Sequence, residues 1–395
     1  MKILVLTSFD LFPPVHGGSS VAYNWIKQAS SRHDVTALIS RLYSQGGQPD
    51  LPGDNVHIHY CRPSVFDRLR VLSFWVNPHY YRTAERLCHE LHPDVVQCET
   101  LWPAFAALRL RKKHRIPVVC VEYNVEADKS AALGRPAPVT GLVAWGERVA
   151  CQQADHVVTL THQDRQQIAR RYGVPSQRCS TILPCPDLAG FAFNPAARAL
   201  VRSRYGLADG DAMLTFVGNL EYEPNQQAVH RIADYVYPAV LRRHPSAYCV
   251  VIGQGAERLS ECRRERLSFT GYLSRSELVA HLCATDAFVV PVETGAGMRV
   301  KIPEATACGR AVVATRKAAE GLESFAEDEI VRTEAVDEGF LAAVLRLIEE
   351  PAWRNGVGER AQLRTQQVFD WSKALTEYDH IYSRLAATSG RGKAA

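Results

Sequence analysis

The chain contains 395 residues, of which 46% are hydrophobic and 22% are charged. A single hydrophobic core stops growing near ~250 residues, so this length predicts about two domains of ordinary globular composition. The net charge of +4 is too small to indicate a nucleic-acid-binding protein.

The cysteines and the hydropathy pattern predict where the protein resides. The 11 cysteines form no C-x-x-C pair, and Cys98, Cys120 and Cys249 lie in apolar, strand-like runs. We therefore expect buried and reduced thiols, which are typical of the cytosol. The N-terminus runs directly into a strand and is too short and polar for a signal peptide, and no stretch of ~18 apolar residues occurs. The prediction is a cytoplasmic protein, at most peripheral at the inner face of a membrane.

From the N-terminus, apolar strand-like runs alternate with helix-like segments. This alternation is typical of a parallel, doubly wound sheet, and it predicts an α/β fold. In the first half the strand-like runs are residues 3–7, 35–39, 56–61, 95–98, 118–121, 157–160 and 181–183.

A proline-rich stretch after residue 183 suits a linker, and the pattern then begins again. We predict two Rossmann-like domains, at residues 1–190 and 191–370, with a C-terminal helix at about 371–388 packing back on the first. Ligands of such sheets bind beyond the carboxyl ends of the strands, so we expect the site in a cleft between two facing domains. The strand-like runs of the second half are residues 213–218, 248–253, 267–271, 287–291, 311–315 and 330–332.

A glycine-containing loop in the second half carries the strongest functional signal. Gly295 and Gly297 follow the run 287–291, and Pro303 fits only the first turn of a following helix. This spacing predicts a helix that starts near Lys301.

Arg299 and Lys301 stand at the start of this helix, where the positive end of the helix dipole disfavours cations. Together with free N–H groups and glycines that let a ligand approach the backbone, the two cations predict a phosphate or diphosphate site. Glu304, in the same turn, either complements the dipole or accepts hydrogen bonds from the ribose hydroxyls of a bound nucleotide. A solvated turn without a ligand is the alternative for the loop as a whole.

The second half resembles the family 4 glycosyltransferases on several motifs. The loop matches the Gly-x-Gly-x-Arg-x-Lys-x-x-Glu-Ala pattern of one branch of that family, and the first half resembles the family weakly. The resemblance implies a GT-B enzyme, with two Rossmann-like domains, that transfers a sugar from a nucleotide-sugar with retention at the anomeric carbon. The matching motifs are Phe216-Val-Gly-Asn219, Val251-Ile-Gly-Gln-Gly255, Phe269-Thr-Gly-Tyr272, the loop from Gly295 to Ala305, and Glu320-Gly-Leu322.

The resemblance implies a donor site in the second domain. Arg299 and Lys301 would hold the donor diphosphate and stabilise the charge that develops on it, which makes both candidate catalytic residues. Glu304 would bind the ribose. The other implied donor-site residues of the second domain are Gly218, Asn219, Tyr272, Gly295, Gly297 and Met298. In the first domain, Gly17 and Gly18 would contact the donor or the acceptor.

Some of these assignments have ordinary structural alternatives. Asn219 follows a strand and suits a turn, and the Gly17-Gly18 pair suits an ordinary loop between a strand and a helix. Glu320 would lie near the donor sugar or at the N-terminus of a helix.

Two departures from the family pattern bear on the donor site. Members outside this branch carry a basic residue near Asn219 and another soon after, where this chain has Asn219 and Asn225. Ala296 stands where a second carboxylate lies in the branch without this motif. The diphosphate would therefore depend heavily on the two cations of the loop.

The first domain is implied to bind the acceptor. The segment Glu122-Tyr-Asn-Val-Glu126 aligns with a His-Asn-x-Glu segment of the family, with Tyr123 in place of the histidine. A phenol with a pKa of ~10 is a poor base at neutral pH, but it can donate a hydrogen bond to a sugar hydroxyl, so Tyr123 is a candidate catalytic residue. Glu122, Asn124 and Glu126 are candidate acceptor contacts, with solvated strand-end carboxylates as the alternative for the two glutamates.

Three further features have competing interpretations. The basic run 109–115 could face anionic lipid or could complement a helix C-terminus. The aromatic cluster 74–81 could stack on sugar, cover a lipid chain or join the core. Asp209-Gly-Asp211 has the spacing of metal carboxylates, but its place before a strand favours a turn, and we expect no metal.

The sequence therefore predicts a retaining, metal-independent hexosyltransferase of polysaccharide biosynthesis. It would move a hexose from a nucleoside-diphosphate sugar, its co-substrate, to a glycan, lipid-linked or small-molecule acceptor, with no nucleic-acid partner. Two alternatives share the architecture. A GT-B nucleotide-sugar epimerase would need acid and base groups around the sugar, of which the Tyr123 segment offers few. A non-catalytic nucleotide-sugar-binding protein would keep the diphosphate site without turnover.

Overall fold

The computed structural model describes residues 1–8, 10–11, 17–40, 53–62, 64–65, 73–186, 188–295 and 298–388. The strands are β1 (Lys2–Thr7), β2 (Asp34–Ser40), β3 (Val56–Cys61), β4 (Val95–Glu99), β5 (Val118–Glu122), β6 (His156–Thr159), β7 (Cys179–Thr181), β8 (Met213–Val217), β9 (Tyr248–Ile252), β10 (Leu267–Phe269), β11 (Ala287–Val290), β12 (Val312–Thr315) and β13 (Val331–Thr333). The α-helices are α1 (Gly17–Ala29), α2 (Ser73–Val76), α3 (Pro78–Leu91), α4 (Ala104–His114), α5 (Glu126–Ala132), α6 (Ala137–Gln153), α7 (His162–Tyr172), α8 (Pro195–Arg204), α9 (Glu223–Arg231), α10 (Tyr237–Arg243), α11 (Arg275–Ala284), α12 (Lys301–Ala307), α13 (Glu338–Glu349), α14 (Pro351–Val368) and α15 (Trp371–Thr388).

The chain divides into two compact units. Unit 1 comprises Met1–Cys185 and Asp370–Ala395, and unit 2 comprises Pro186–Phe369. The sheet of unit 1 has the order β3-β2-β1-β4-β5-β6-β7, and the sheet of unit 2 has the order β10-β9-β8-β11-β12-β13. All strand pairs in both sheets are parallel. The predicted α/β fold with two doubly wound sheets is confirmed.

The strands form because they are short runs of aliphatic and β-branched residues. β4 and β5 are buried along their whole length, and so are β11 and β12. Continuous apolar runs of this kind suit parallel strands, whose two faces are both covered. The core of each unit therefore lies against its central strands.

The C-terminal helix α15 belongs to unit 1. The ring of Tyr378 lies 5.7 Å from that of Trp25 in an edge-on contact. The carboxylate of Asp379 pairs with Arg32 at 2.8 Å and with His33 at 2.7 Å. The apolar face predicted for this helix is buried, at Leu375, Tyr378, Ile381 and Leu385.

The last strand of unit 1 differs from its prediction. β7 ends at Thr181, where the predicted run 181–183 begins. Proline has no N–H to give to a sheet ladder, and Pro184 and Pro186 follow closely, so the chain leaves the sheet early. The helix predicted to start near Lys301 does begin there, as α12.

All 11 cysteines are buried and none forms a disulfide, as predicted. In the part of the chain that the structure describes, no helix combines the length and the apolar character that crossing a bilayer requires.

Candidate functional site

The strand order of unit 2 reverses between β8 and β11, which are neighbours in the sheet although β9 and β10 lie between them in sequence. In open parallel sheets such a switch point leaves a crevice beyond the carboxyl ends of the two strands. The chain continues there from β8 into Gly218 and Asn219, and from β11 into the loop that leads to α12. The switch point therefore brings together the two segments that the sequence assigns to the donor.

Lys301 lies at the centre of this edge of the sheet. The residue is half-buried, and its Nζ donates to Oδ1 of Asn225 at 2.9 Å and stands 4.4 Å from the centre of the Phe216 ring. A Cβ atom at Gly218 would lie 2.9 Å from the same Nζ. Glycine at 218 therefore leaves the space that the lysine occupies.

Arg299 is the second cation of the site and is only 8% exposed. Its Nη2 donates to the carbonyl oxygen of Thr294 at 3.1 Å. Burial lowers the pKa of its guanidinium, while the Glu320 carboxylate acts in the opposite direction. Gly295 has φ +92°, and a Cβ atom there would lie 2.7 Å from the hydroxyl of Tyr222. The loop can take this path past Arg299 because residue 295 has no side chain.

Lys301 and Glu304 act on each other's pKa at this edge without forming an ion pair. Burial and the positive charge of Arg299 lower the pKa of Lys301 to about 7. Burial raises the pKa of Glu304 to about 7. Among the described residues, none donates a hydrogen bond to the Glu304 carboxylate and none places a carboxylate within ion-pair distance of Lys301 Nζ. An anion would offset the positive charges of Arg299 and Lys301, and hydroxyl groups on the same ligand would donate hydrogen bonds to the Glu304 carboxylate.

Asn225 is a site residue whose role the sequence did not reveal. Its Nδ2 donates to the carbonyl oxygen of Asn219 at 2.8 Å while its Oδ1 accepts from Lys301. The side chain of Asn219 itself accepts from the N–H of Glu221 at 2.9 Å and closes a turn. The contact of the Asn219 side chain is therefore that of a turn residue, the structural alternative that the sequence left open. The Asn225 side chain links this turn to Lys301.

The remaining predicted donor-site residues of unit 2 differ in their exposure and in their contacts. Tyr272 lies in the loop after β10 and is 63% exposed. Met298 is half-buried next to Arg299 in the chain, and Gly297 lies outside the described residues. Glu320 accepts from Lys317 at 2.7 Å. The Glu320 carboxylate also acts to raise the pKa of Arg299.

In unit 1, Gly17 and Gly18 form the first residues of α1. Gly17 is exposed, with open space where a Cβ atom would lie. Packing therefore does not require a glycine at position 17. The residues before it, 12–16, lie outside the described part of the chain.

Tyr123 is buried, and its hydroxyl donates to Oε2 of Glu99 at 2.6 Å. Glu99 also accepts from Gln97 at 2.6 Å, and the hydroxyl of Tyr382 donates to Gln97. Burial, together with the charge of Glu99, holds the pKa of Tyr123 well above its usual range. The phenol predicted to act on the acceptor is thus committed to a buried hydrogen-bond network within unit 1.

Glu122 does not lie at the surface. Its carboxyl group is fully buried, and Oε1 accepts from the thiol of Cys120 at 3.1 Å. Burial and the nearby Glu147 raise its pKa well above the usual range. A fully buried carboxyl group fits neither expectation for Glu122, acceptor contact or solvation, because both require an exposed side chain. The side chain is buried because β5 is covered on both faces along its whole length.

Asn124 and Glu126 are partly enclosed by their own segment. Glu126 accepts from Asn124 at 3.1 Å and from Lys129 at 3.0 Å. Its backbone N–H donates to Oε1 of Glu147 at 2.6 Å, which caps the start of α5. Burial raises the pKa of Glu147 to about 7. This segment is therefore held by internal hydrogen bonds.

The basic run 109–115 occupies the C-terminal half of α4 and the residue after it. Arg111 forms two hydrogen bonds of 2.7 Å with Asp155, and Lys113 pairs with Glu85. These pairs and the helix end fit the structural interpretation, in which the cations complement a helix C-terminus.

The aromatic cluster 74–81 contributes Trp75 to a larger group of rings. Trp75 lies 5.1 Å from Phe105, 5.8 Å from Trp102 and 6.2 Å from Trp145. Trp145 is 53% exposed. Part of the cluster thus reaches the surface. Elsewhere, Asp211 accepts from the N–H of Ala208 at 2.8 Å within a turn, as predicted for residues 209–211.

Two family models match separate parts of the chain. Residues 17–185 match the family described as "Glycosyl transferase 4-like domain", and residues 211–350 match "Glycosyl transferases group 1". Glycogen synthase of Mycobacterium tuberculosis is 28% identical, and the alignment covers 99% of this chain and 96% of the relative.

Two solved structures show the same architecture. Sucrose-phosphate synthase from Thermosynechococcus elongatus superimposes with a TM-score of 0.81 at 17% identity, covering 98% of this chain and 100% of that one. Anabaena HepE in complex with UDP-glucose superimposes with a TM-score of 0.74 at 16% identity, covering 97% and 100%. At such identities the structural likeness establishes the fold alone.

Proposed function

Because this chain belongs to the GT-B glycosyltransferases of the family 4 type, we propose that it is a retaining hexosyltransferase that uses a nucleoside-diphosphate sugar. The acceptor would be a glycan, a lipid-linked sugar or a small molecule. Cationic side chains would take the role that a metal ion has in other sugar transferases, so that the transfer step needs no metal.

One observation carries the donor part of this proposal. Arg299 and Lys301 lie beside each other in a largely desolvated edge of the sheet, and the neutral amide of Asn225 is the hydrogen-bond partner of Lys301. Two like charges in such a place destabilise each other. A diphosphate would relieve that repulsion and gain charge-assisted hydrogen bonds. Since α12 has only seven residues, we assign the positive charge to the side chains rather than to a helix dipole.

The same two cations would act on the chemical step. When the glycosidic bond of the donor breaks, negative charge builds up on the diphosphate that leaves. Preorganised positive groups stabilise that charge more in the transition state than in the bound donor, which accelerates transfer. Glu304 would accept hydrogen bonds from the ribose hydroxyls, for which its carboxylate has no competing partner among the described residues.

Retention of configuration would follow from attack on the same face that the diphosphate leaves. In this scheme a leaving phosphate oxygen takes the proton of the acceptor hydroxyl while the new glycosidic bond forms. Such a step needs no protein nucleophile on the donor side. It also fits the buried position of Tyr123, whose hydroxyl is occupied by Glu99.

The class of donor is supported by the similar Anabaena protein, whose structure holds UDP-glucose. A thermal-shift screen of UDP, GDP, ADP and TDP would identify the base. A ligand present at ~100 times its dissociation constant stabilises the folded state by about 2.7 kcal/mol, a shift that is readily measured.

The stereochemistry of the product tests the proposed reaction. The full chain would be incubated with the nucleoside-diphosphate sugar selected by the screen and a panel of sugar acceptors, and the anomeric configuration read by NMR. We expect the configuration of the donor in the product. An inverted anomer would contradict retention, and conversion of the donor sugar to its epimer without an acceptor would identify an epimerase instead.

A further inference from the structure

A second cluster of reactive side chains lies in unit 2, where the end of α9 meets the 3₁₀ segment Ala256–Cys262. His230, Glu261 and Cys262 each place one potential ligand atom within 4.8 Å of the others. The Sγ atom of Cys262 lies 3.3 Å from Nδ1 of His230, and Oε1 of Glu261 lies 3.4 Å from Nε2 of the same ring. Because His230 and Cys262 are 32 residues apart, only the folded chain assembles this cluster.

The ligand atoms suit one kind of metal. Thiolate sulfur, imidazole nitrogen and carboxylate oxygen are the ligands of Zn²⁺, at about 2.0 to 2.3 Å from the ion. In a tetrahedron with such bonds, neighbouring ligand atoms are separated by roughly 3.3 to 3.8 Å. The separation of Cys262 Sγ from Nδ1 of His230 has this size. Glu261 faces the other ring nitrogen, but one ligand atom from each of the three residues lies within 4.8 Å of the other two, so a rotation of the exposed Glu261 side chain would bring its carboxylate to the same ion. The mixture of sulfur, nitrogen and oxygen favours Zn²⁺ over Mg²⁺ or Ca²⁺, which prefer oxygen alone.

We propose that His230, Glu261 and Cys262 bind one Zn²⁺ ion. The ligands would be the Cys262 thiolate, a carboxylate oxygen of Glu261 and one imidazole nitrogen of His230, with water in the fourth position. On binding, the thiol proton goes to solvent, and the thiolate and carboxylate together balance the charge of the ion.

The surroundings support a cation at this place. Oδ2 of Asp234 lies 3.7 Å from Nδ1 of His230, while its Oδ1 is engaged by Arg264 at 2.6 Å. Asp234 therefore adds negative charge and stays anchored outside the proposed ligand set. Cys262 is buried, whereas the side chains of His230 and Glu261 are 43% and 57% exposed. An ion can enter from solvent and meet a thiol on the protein side.

The backbone around the cluster is also unusual. α9 continues into the π-helical turn Ile232–Val236, and such turns occur frequently at functional sites. The 3₁₀ segment follows Gly255, where a Cβ atom would lie 2.9 Å from the backbone nitrogen of Glu221. An ion that ties α9 to the 3₁₀ segment would therefore brace two elements that adjoin the Gly218–Asn219 loop. The inference stands independently of the proposed sugar transfer.

Binding of Co²⁺ and Zn²⁺ to the full chain, purified in the presence of a chelator and then freed of it, tests this proposal. We expect one equivalent of Co²⁺ to bind with a thiolate-to-cobalt charge-transfer band in the near ultraviolet, and Zn²⁺ to displace it. Cys262→Ser should abolish the band. Removing an outer partner of a metal ligand already weakens binding about 10- to 100-fold, so His230→Gln should weaken Zn²⁺ binding by at least about 100-fold.

Matched variants separate a metal site from general effects. Glu261→Gln changes an exposed carboxylate and should keep the fold even if Cys262→Ser does not, yet it should weaken Zn²⁺ binding at least about 10-fold. Glu265→Gln, an exposed carboxylate near the cluster, and His244→Gln, a histidine paired with Glu349 at 3.1 Å, should bind Zn²⁺ like the parent chain. Absence of stoichiometric binding, or binding that survives both His230→Gln and Glu261→Gln, would overturn the proposal.

Discussion

The two units differ in how the polar side chains beyond the carboxyl ends of their central strands are paired. In unit 1 the polar groups near the ends of β4 and β5 bind one another, as Tyr123 donates to Glu99 and Glu99 accepts from Gln97. In unit 2 the groups beyond β8 and β11 include a lysine whose hydrogen-bond partner is a neutral amide and a glutamate with no donor among the described residues. The difference indicates that a shared fold places the sites, while local side chains decide which site still needs a ligand.

The two regions also differ in how much stability a bound anion would contribute. A buried hydrogen-bond network that is already complete gains little from a new partner and loses stability when one member is removed. A pair of desolvated cations gains charge-assisted hydrogen bonds when a diphosphate arrives. Variants in unit 2 should therefore act on binding and rate, and variants in unit 1 on stability.

The largest expected effect is on the transfer rate. Arg299→Ala removes a preorganised charge that is 8% exposed and would face the leaving diphosphate. We expect kcat for sugar transfer to fall by about 100- to 1,000-fold, as when one oxyanion donor is removed from an active site. Steady-state kinetics with a saturating donor measures this effect.

The control for this variant is Arg346→Ala, since Arg346 stacks on Trp353 at 4.0 Å in the same unit. Its kcat should match that of the parent chain. A loss of less than about threefold for Arg299→Ala would remove the guanidinium from the transition state.

The next effect is a pH dependence of binding. Burial and Arg299 lower the pKa of Lys301 to about 7, so above that pH a growing fraction of the ligand-free lysine is neutral. A diphosphate prefers the charged amine, so binding must then include proton uptake. Its affinity should fall as pH rises from about 7 to 9, by at most about tenfold per pH unit. Isothermal titration across this range measures the slope.

Lys301→Arg sharpens this test, because a guanidinium stays protonated throughout the range. The Lys301→Arg variant should lose most of the slope. Any slope that remains would belong to Glu304, whose pKa is also raised to about 7. An affinity for diphosphate that is constant in the parent chain would contradict the assigned role of the Lys301 charge.

A smaller effect should appear in the choice between ribose and deoxyribose. If Glu304 accepts hydrogen bonds from the ribose hydroxyls, the parent chain should bind a ribonucleoside diphosphate about 10-fold more tightly than its 2′-deoxy analogue. Glu304→Ala should remove this preference, and competition binding with the two nucleotides measures it. Glu359→Ala, which alters an exposed carboxylate on α14, should preserve it. Equal preference in the parent chain and in Glu304→Ala would place the ribose elsewhere.

The smallest effect on catalysis is expected in unit 1. Tyr123→Phe deletes the hydroxyl that donates to the buried Glu99. The free energy of unfolding should fall by about 1 to 3 kcal/mol, because a buried carboxyl group loses a hydrogen bond. Transfer activity should change by less than about threefold. Chemical denaturation and steady-state kinetics on one preparation give both values, and a large loss of activity at unchanged stability would restore the catalytic interpretation of Tyr123.

The sequence predicted well those features that depend on neighbours in the chain. Buried parallel strands are continuous apolar runs, and the pair Arg299 and Lys301 follows from the spacing of one loop and one helix start. The network of Tyr123, Glu99 and Gln97 depends on long-range packing, since its Tyr382 is 285 residues from Gln97. A contact between residues so far apart in the chain leaves no local sequence pattern by which it could be predicted.

Two further features of the structure also depend on long-range packing. Glu122 at the end of β5 was expected at the surface, but β5 is buried on both faces, and which elements cover a strand is decided by long-range packing. The proposed metal cluster depends on long-range packing in the same way, since His230 meets Cys262 only after β9 has been placed beside β8. Asn225 could have been suspected earlier, because it stands where the resemblance expects a second cation.

Binding of nucleoside diphosphate to the parent chain and to Lys301→Ala tests the central claim most directly. Isothermal titration with the diphosphate selected by the thermal screen should show one site, weakened roughly 10- to 150-fold by Lys301→Ala, because a charge-assisted hydrogen bond contributes about 1.5 to 3 kcal/mol. Lys112→Ala, at an exposed lysine of unit 1, should bind like the parent chain. Equal affinity of Lys301→Ala and the parent chain would show that the cations at the switch point of unit 2 do not hold the diphosphate.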